Sequence, residues 1–334
     1  MKAIKLFLLA GVSLLALSSC QKAEKLGGQE VRFSASANPM TKTEYETSAS
    51  GKIFWSEGDQ ILIWSDYAVK RYNAGQKYSV YDIVNPNGNS ASLANPASDP
   101  NGLTYVEDQE AYNFWAVYPA NAVSNPAGAV AEYSISNQSP SAEDADVTET
   151  NVTIPADMSQ AVLLAQATNA PKMAYHDYTK TISLTFEPAF TAYEITILGD
   201  LNDDANSITL NSLELSGMAG DVTATFGNDG ITYAASNTSA LTYTFPANTT
   251  ITNSKSVTFT VIALPVDAEG LQLVFNTSVG TRTATLTNKA DGSPITFAAR
   301  NKHRLYGLAM PEGFAYFASL EDMQYAGKDP ITLN

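Results

Sequence analysis

The chain is poor in the residues that catalysis most often uses. It has one cysteine, Cys20, and two histidines, His176 and His303, in 334 residues. A single cysteine excludes an internal disulfide and any Cys–Cys metal or redox pair. With two distant histidines beside it, a zinc ligand set is missing as well. Basic residues are scarce, 19 Lys+Arg against 34 Asp+Glu for a formal charge of −15. That balance argues against a nucleic-acid partner, because phosphate binding needs clustered cations. No G-x-S-x-G, phosphate-cradling glycine loop or H-E-x-x-H is present. No enzymatic activity and no cofactor are therefore expected. His176 beside Asp177, and His303 between Lys302 and Arg304, have no nucleophile to serve and read as surface-loop residues. Helical periodicity is also nearly absent, and "DMSQAVLLAQA" (157–167) offers at most a turn or two. At 44% hydrophobic residues the chain is not wholly disordered. Without disulfides its stability rests on core size, which this length allows.

The acidic stretches do not complete a metal site. In "DLNDDANS", Asp200, Asn202 and Asp204 take the one-three-five spacing of a calcium loop. Ala205 stands where the turn needs glycine, Asn211 where a bidentate glutamate belongs, and flanking helices are missing, so calcium is not expected there. "EDADVTE" (143–149) reads as a solvated acidic loop.

What the sequence does have is period two. Ile182, Leu184 and Phe186 alternate with threonine and serine, as do Leu241, Tyr243 and Phe245. Val257, Phe259 and Val261 form one face of "VTFTVIAL", and Leu271, Leu273 and Phe275 one face of "LQLVF". Each run is bounded by turn residues, the signature of half-buried strands. In "ITLNSLEL" the apolar phase switches from Ile208 and Leu210 to Leu213 and Leu215, so a bulge or short turn at Asn211-Ser212 is expected. Two long polar tracts, 85–111 and 120–150, read as surface loops. Many short strands predict an all-β fold of two tandem antiparallel β-sandwich domains. The expected division is 29–178 and 179–311, with a tail at 312–334.

The N-terminus has the layout of an export signal over residues 1–19: Lys2 and Lys5, then the apolar run Leu6–Leu17, too short to span a bilayer as a helix. Leu17-Ser18-Ser19-Cys20 resembles the bacterial lipobox. The resemblance implies cleavage before Cys20, a diacylglycerol thioether on its sulfur and an acylated N-terminus, palmitate being a typical chain. Two or more chains hold a protein to a membrane stably. Gln21, rather than aspartate, follows, which implies outer-membrane sorting. Residues 20–28 then form a polar tether.

Three further stretches together resemble the fimbrillins of Bacteroidales, the Mfa-like lipoprotein precursors of type V pili. They are Thr41-Lys42-Thr43 with Trp55, Gly58-Asp59 and Ile61–Trp64; "YNFWAVYPAN" ending in Tyr118-Pro119; and "NVTIPADMSQ" with "TISLTFEPAFTAYEITI". The resemblance runs from about residue 29 to about 311, and Pro188 stands where the family often has histidine. It implies transthyretin-like sandwiches and an adhesive or structural role in a fimbrium. It also implies that the strand in "EVRFSASA" is removed by an Arg- or Lys-specific protease and replaced by a strand from another subunit. Lys42 is the expected cut and Lys52 the runner-up, while Arg32 lies inside the strand. Partners would be other fimbrial subunits, the outer membrane through the lipid, and host or bacterial surface ligands. The tail is a candidate donor segment. The competing reading is a surface glycan-binding lipoprotein of a polysaccharide-uptake system, with Trp64, Trp115, Tyr67 and Tyr72 as its aromatic platform.

Overall fold

The structure is a computed structural model that describes residues 28–37, 55–123, 130–148, 150–174, 177, 179–198, 207–289, 291–310 and 313–317. Cys20, Lys42, Lys52, His176, Asp200, Asn202, Asp204 and the tail beyond Phe317 lie outside the described residues.

The fold is all-β, as alternation requires. In chain order the longer strands are β1 (Phe33–Ala37), β2 (Gln60–Ser65), β3 (Tyr78–Asn87), β4 (Ser90–Ala94), β5 (Ala111–Tyr118) and β6 (Val130–Ile135). β7 (Asn151–Ile154), β8 (Leu163–Pro171), β9 (Ile182–Pro188), β10 (Thr191–Leu198), β11 (Ile208–Gly227) and β12 (Gly230–Thr244) follow. The last are β13 (Ser256–Ala263), β14 (Leu271–Thr277), β15 (Gly280–Leu286), β16 (Lys302–Met310) and β17 (Gly313–Phe317).

Two tandem, purely antiparallel sandwiches do not describe the pairing. Seven strands close a barrel in the order β1–β9–β8–β5–β2–β3–β4. Closure removes the free edges that an open sheet would expose. Beyond it, the sheet β17–β16–β10–β13–β7 faces the sheet β12–β11–β14–β15. The facing is visible in the rings: Phe259 of β13 lies 5.2 Å from Tyr243 of β12 and 4.8 Å from Phe245. Three pairs are parallel, β1 with β9, β7 with β13 and β10 with β16. The sheets also cross residue 178 in both directions. β9 sits in the barrel, while β6 pairs with β11 and β7 with β13.

Several local expectations hold, and the reading of the polar tracts as surface loops does not. At Asn211 the register of β11 against β14 slips by one residue, and Leu210, Leu213 and Leu215 are all buried, as the phase switch requires. The stretch 157–167, read as at most a turn or two of helix, holds a single 3-10 turn, Met158–Gln160, leading into β8. Its apolar run from Ala161 to Ala165 is buried throughout, because β8 has a neighbour on each side and is covered on both faces. An unbroken apolar run of that length suits a buried strand as well as a helix, so pattern alone does not separate the two. Inside the polar tracts, Leu103 and Tyr105 are buried, and β6 buries Ala131, Tyr133 and Ile135.

His303 is not a surface-loop residue. It stacks on Tyr193 at 5.6 Å and meets Phe297 edge-on at 5.1 Å, with Nε2 3.0 Å from the Ala298 carbonyl oxygen. Burial pushes its pKa below the ordinary value, with the carbonyl pulling the other way. As pH falls below about 6.5 the unfolded chain takes this proton first, so the histidine's contribution is complete above that value and is lost as pH falls through the depressed folded one. The urea midpoint should therefore drop between pH 7 and pH 5, and His303→Phe should remove that part of the drop. An identical pH dependence in the variant would contradict it.

Candidate functional site: the first strand of the barrel

The first described residues, 28–37, are the ones that close the barrel. Val31, Phe33, Ala35 and Ala37 alternate inward and are all at most 2% exposed. Phe33 meets Tyr81 edge-on at 5.2 Å and Phe114 at 5.1 Å. Burying such a valine or phenylalanine contributes roughly 1.5–3 kcal/mol each before chain ordering is counted. On the outer side, the Ser34 hydroxyl is 3.1 Å from Thr181 and 3.3 Å from Ser183, and Ser36 donates to Thr185 at 3.3 Å. The strand is therefore apolar on one face and hydroxyl-bearing on the other.

Its backbone is held from both sides. β1 runs parallel to β9, with Phe33 opposite Ile182 and Ala37 opposite Phe186. It runs antiparallel to β4, with Ser34 opposite Ser92. Just ahead of β1, the Val31 N–H donates to the Leu103 carbonyl at 2.8 Å and the Tyr105 N–H to the Gln29 carbonyl at 2.9 Å. Arg32 lies between these pairings, and its carbonyl accepts the Ile182 N–H at 2.8 Å.

The two ends of the segment 38–54 are anchored at one place, the turn between β3 and β4. The Ala37 N–H donates to the Asn89 carbonyl at 2.8 Å, and Asn89 Nδ2 donates back to the Ala37 carbonyl at 3.0 Å. Trp55 N–H reaches the Gly88 carbonyl at 3.3 Å, and its indole N–H donates to Asn89 at 3.0 Å. A cut in 38–54 would thus separate β1 from the rest of the chain while leaving Trp55 seated against Tyr118 and Phe186. Asn89 carries both ends. Only the "NPNGN" turn signal marked its neighbourhood in the sequence, and nothing marked its role.

The four aromatics considered as a glycan platform do not form one. Trp64 is buried and Trp115 half-buried, both packed near Phe226 at 5.3 and 6.3 Å. Tyr67 and Tyr72 are exposed, each beside a cation, Lys77 and Arg71. Among the described residues, no group of three or more His, Cys, Asp or Glu is placed to hold a metal ion. The 143–149 acids begin on a short 3-10 turn, and Glu143 and Asp146 are exposed.

Solved structures share this fold. A candidate cell adhesion protein from Bacteroides ovatus is 16% identical over 88% of this chain and 96% of its own, with a TM-score of 0.53. Another from Bacteroides uniformis is 18% identical over 88% and 97%, with a TM-score of 0.51. At such identities the likeness is one of fold. No protein-family model and no curated protein matches the chain.

Proposed function

We propose that this chain is the precursor of a fimbrial subunit, structural or at the tip, whose first strand is released by proteolysis and replaced by a strand from another subunit. The observation that carries it is β1 itself: a separable strand completes the barrel, and the segment after it begins and ends on one turn. Removing β1 would open an apolar slot flanked by two unpaired strand edges, which is the template for β-augmentation. The solved relatives named for cell adhesion support the adhesive part of the reading.

In this reading the chain reaches the outer membrane as a lipoprotein anchored through Cys20, and a cut after Lys42, or failing that Lys52, precedes entry into an extracellular fimbrium. The barrel, which β1 closes against β9 from beyond residue 178, is the unit that exchanges its first strand.

The test uses protein without the export signal and with Cys20 replaced, treated with a limiting Lys/Arg-specific protease. A new N-terminus at residue 43, with a ladder of detergent-resistant oligomers on unboiled gels, is expected of a self-polymerising subunit. The same cut without a ladder would indicate a tip subunit. No cut anywhere in 38–54 would sink the processing mechanism.

A further inference from the structure

Ahead of β1 the seated segment makes a polar contact, besides the Gln29 Nε2 hydrogen bond to the Ala174 carbonyl at 3.1 Å, that a purely apolar slot would not need. Glu30 bridges antiparallel to Thr104, and its carboxylate accepts a hydrogen bond from Asn95 Nδ2. The same Nδ2 donates to the Pro100 carbonyl at 3.3 Å. A carbonyl only accepts, so Pro100 fixes which end of the Asn95 amide faces position 30. Asn95 therefore presents a donor there, and its Oδ1 is buried without a hydrogen bond.

Tyr81 ties this contact to the apolar face. Its hydroxyl accepts the Leu103 N–H at 2.8 Å and stands beside Glu30, while its ring meets Phe33. Residue 102 leaves room for the arrangement by being glycine. A Cβ there would sit 2.6 Å from Asn95 Oδ1, 2.9 Å from Glu30 Oε1 and 2.9 Å from the Tyr81 hydroxyl. One side chain thus spans the distance from an acid at position 30 to an aromatic at position 33. Positions 35 and 37 hold buried alanines.

We infer that Asn95, Tyr81 and Gly102 form a register pin, which admits a replacement strand bearing an acidic side chain three residues before an aromatic one and a small residue two after it. The inference rests on the strand-replacement reading above and adds what the slot selects. A one-residue slip would turn every side chain to the wrong face, so a polar mark at one end is an effective way to set register.

The tail, already a candidate donor segment by the resemblance, can be set against this pattern. Among residues outside the described ones, Asp322-Met323-Gln324-Tyr325-Ala326-Gly327 carries it, with Asp322 at position 30, Met323 at 31, Tyr325 at 33 and Gly327 at 35. The match has ends. Asp329 falls at buried position 37, and Leu320 falls at position 28, where a Cβ would collide with the Tyr105 carbonyl. The seated stretch is then Asp322–Lys328 of a second copy of this chain.

The experiment follows peptide exchange into the full chain after a cut in 38–54, read by fluorescence anisotropy. The probes are a labelled peptide of residues 28–37, the same peptide with Glu30→Ala, a peptide of residues 321–328, and the latter with Asp322→Ala. The unaltered peptides should bind, and each alanine version should bind about tenfold or more weakly, the usual loss of a hydrogen bond to a charged group. In Asn95→Ala protein that difference should vanish. Equal binding of the 28–37 peptide and its Glu30→Ala version would overturn the pin while leaving strand replacement intact. Failure of the 28–37 peptide to bind would overturn strand replacement itself and the pin with it. Binding of 28–37 but not of 321–328 would overturn the second-copy occupant.

Discussion

Phe33→Ala should lower the unfolding free energy by about 3–5 kcal/mol, the usual range for emptying an aromatic site in a packed core. Phe33 is 2% exposed and has Tyr81 and Phe114 edge-on to its ring, so little can collapse into the space it leaves. The loss should also be specific. It falls on the contact between β1 and the barrel, so amides of β4 and β9 facing β1 should exchange hydrogen faster, while those of β13 and β14 should change only with global stability. Ser34→Ala, on the outer hydroxyl face, should cost well under 1 kcal/mol by the same urea titration. Comparable losses for the two variants would mean that β1 is not held by its inward side chains.

Gln138→Leu should cost about 2–5 kcal/mol, although it trades a polar residue for an apolar one. Gln138 is fully buried, and its side chain imitates a strand edge. Nε2 donates to the Ile262 carbonyl at 2.5 Å, and Oε1 accepts the Ile262 N–H at 3.0 Å. Its backbone meanwhile pairs with Thr242 and Thr244. One residue therefore links β12 to β13 across the interior between the two facing sheets. Leucine would strand two buried backbone groups, each worth about 1–3 kcal/mol when left unpaired. The Ile262 amide should lose hydrogen-exchange protection beyond the global change. Retained protection at that amide would refute the assignment.

Alternation made the strands legible wherever one face is buried. "TISLTF" and "LTYTF" bury every second residue, and the switch of phase at Asn211 appears as a slipped register. What pattern does not encode is the partner. Nothing in "FSASA" says that it runs parallel to residues 182–186 and antiparallel to 90–92, because pairing across such separations is decided by the assembled barrel. β6 alternates as "VAEYSI" but lies within a tract of Asn, Pro, Ser and acids, so composition concealed it. Gln138 and Asn95 gave no signal, since a buried amide is recognised only by the backbone groups it meets. β1 was legible as a strand, whereas the Asn89 turn that holds both ends of 38–54 needed the fold.

The central claim is that β1 is a filler which leaves the barrel so that another strand can enter. Ser34 and Ser183 are register partners on β1 and β9, with hydroxyls 3.3 Å apart on the outer face. With Cys20 replaced, Ser34→Cys with Ser183→Cys should place a reducible bridge between the two strands. After a cut in 38–54, the oxidised protein should take up no labelled 28–37 peptide, and adding reductant should start uptake at the level of the unbridged protein. Equal uptake before and after reduction would show that strand entry does not require β1 to leave, and the account would fail.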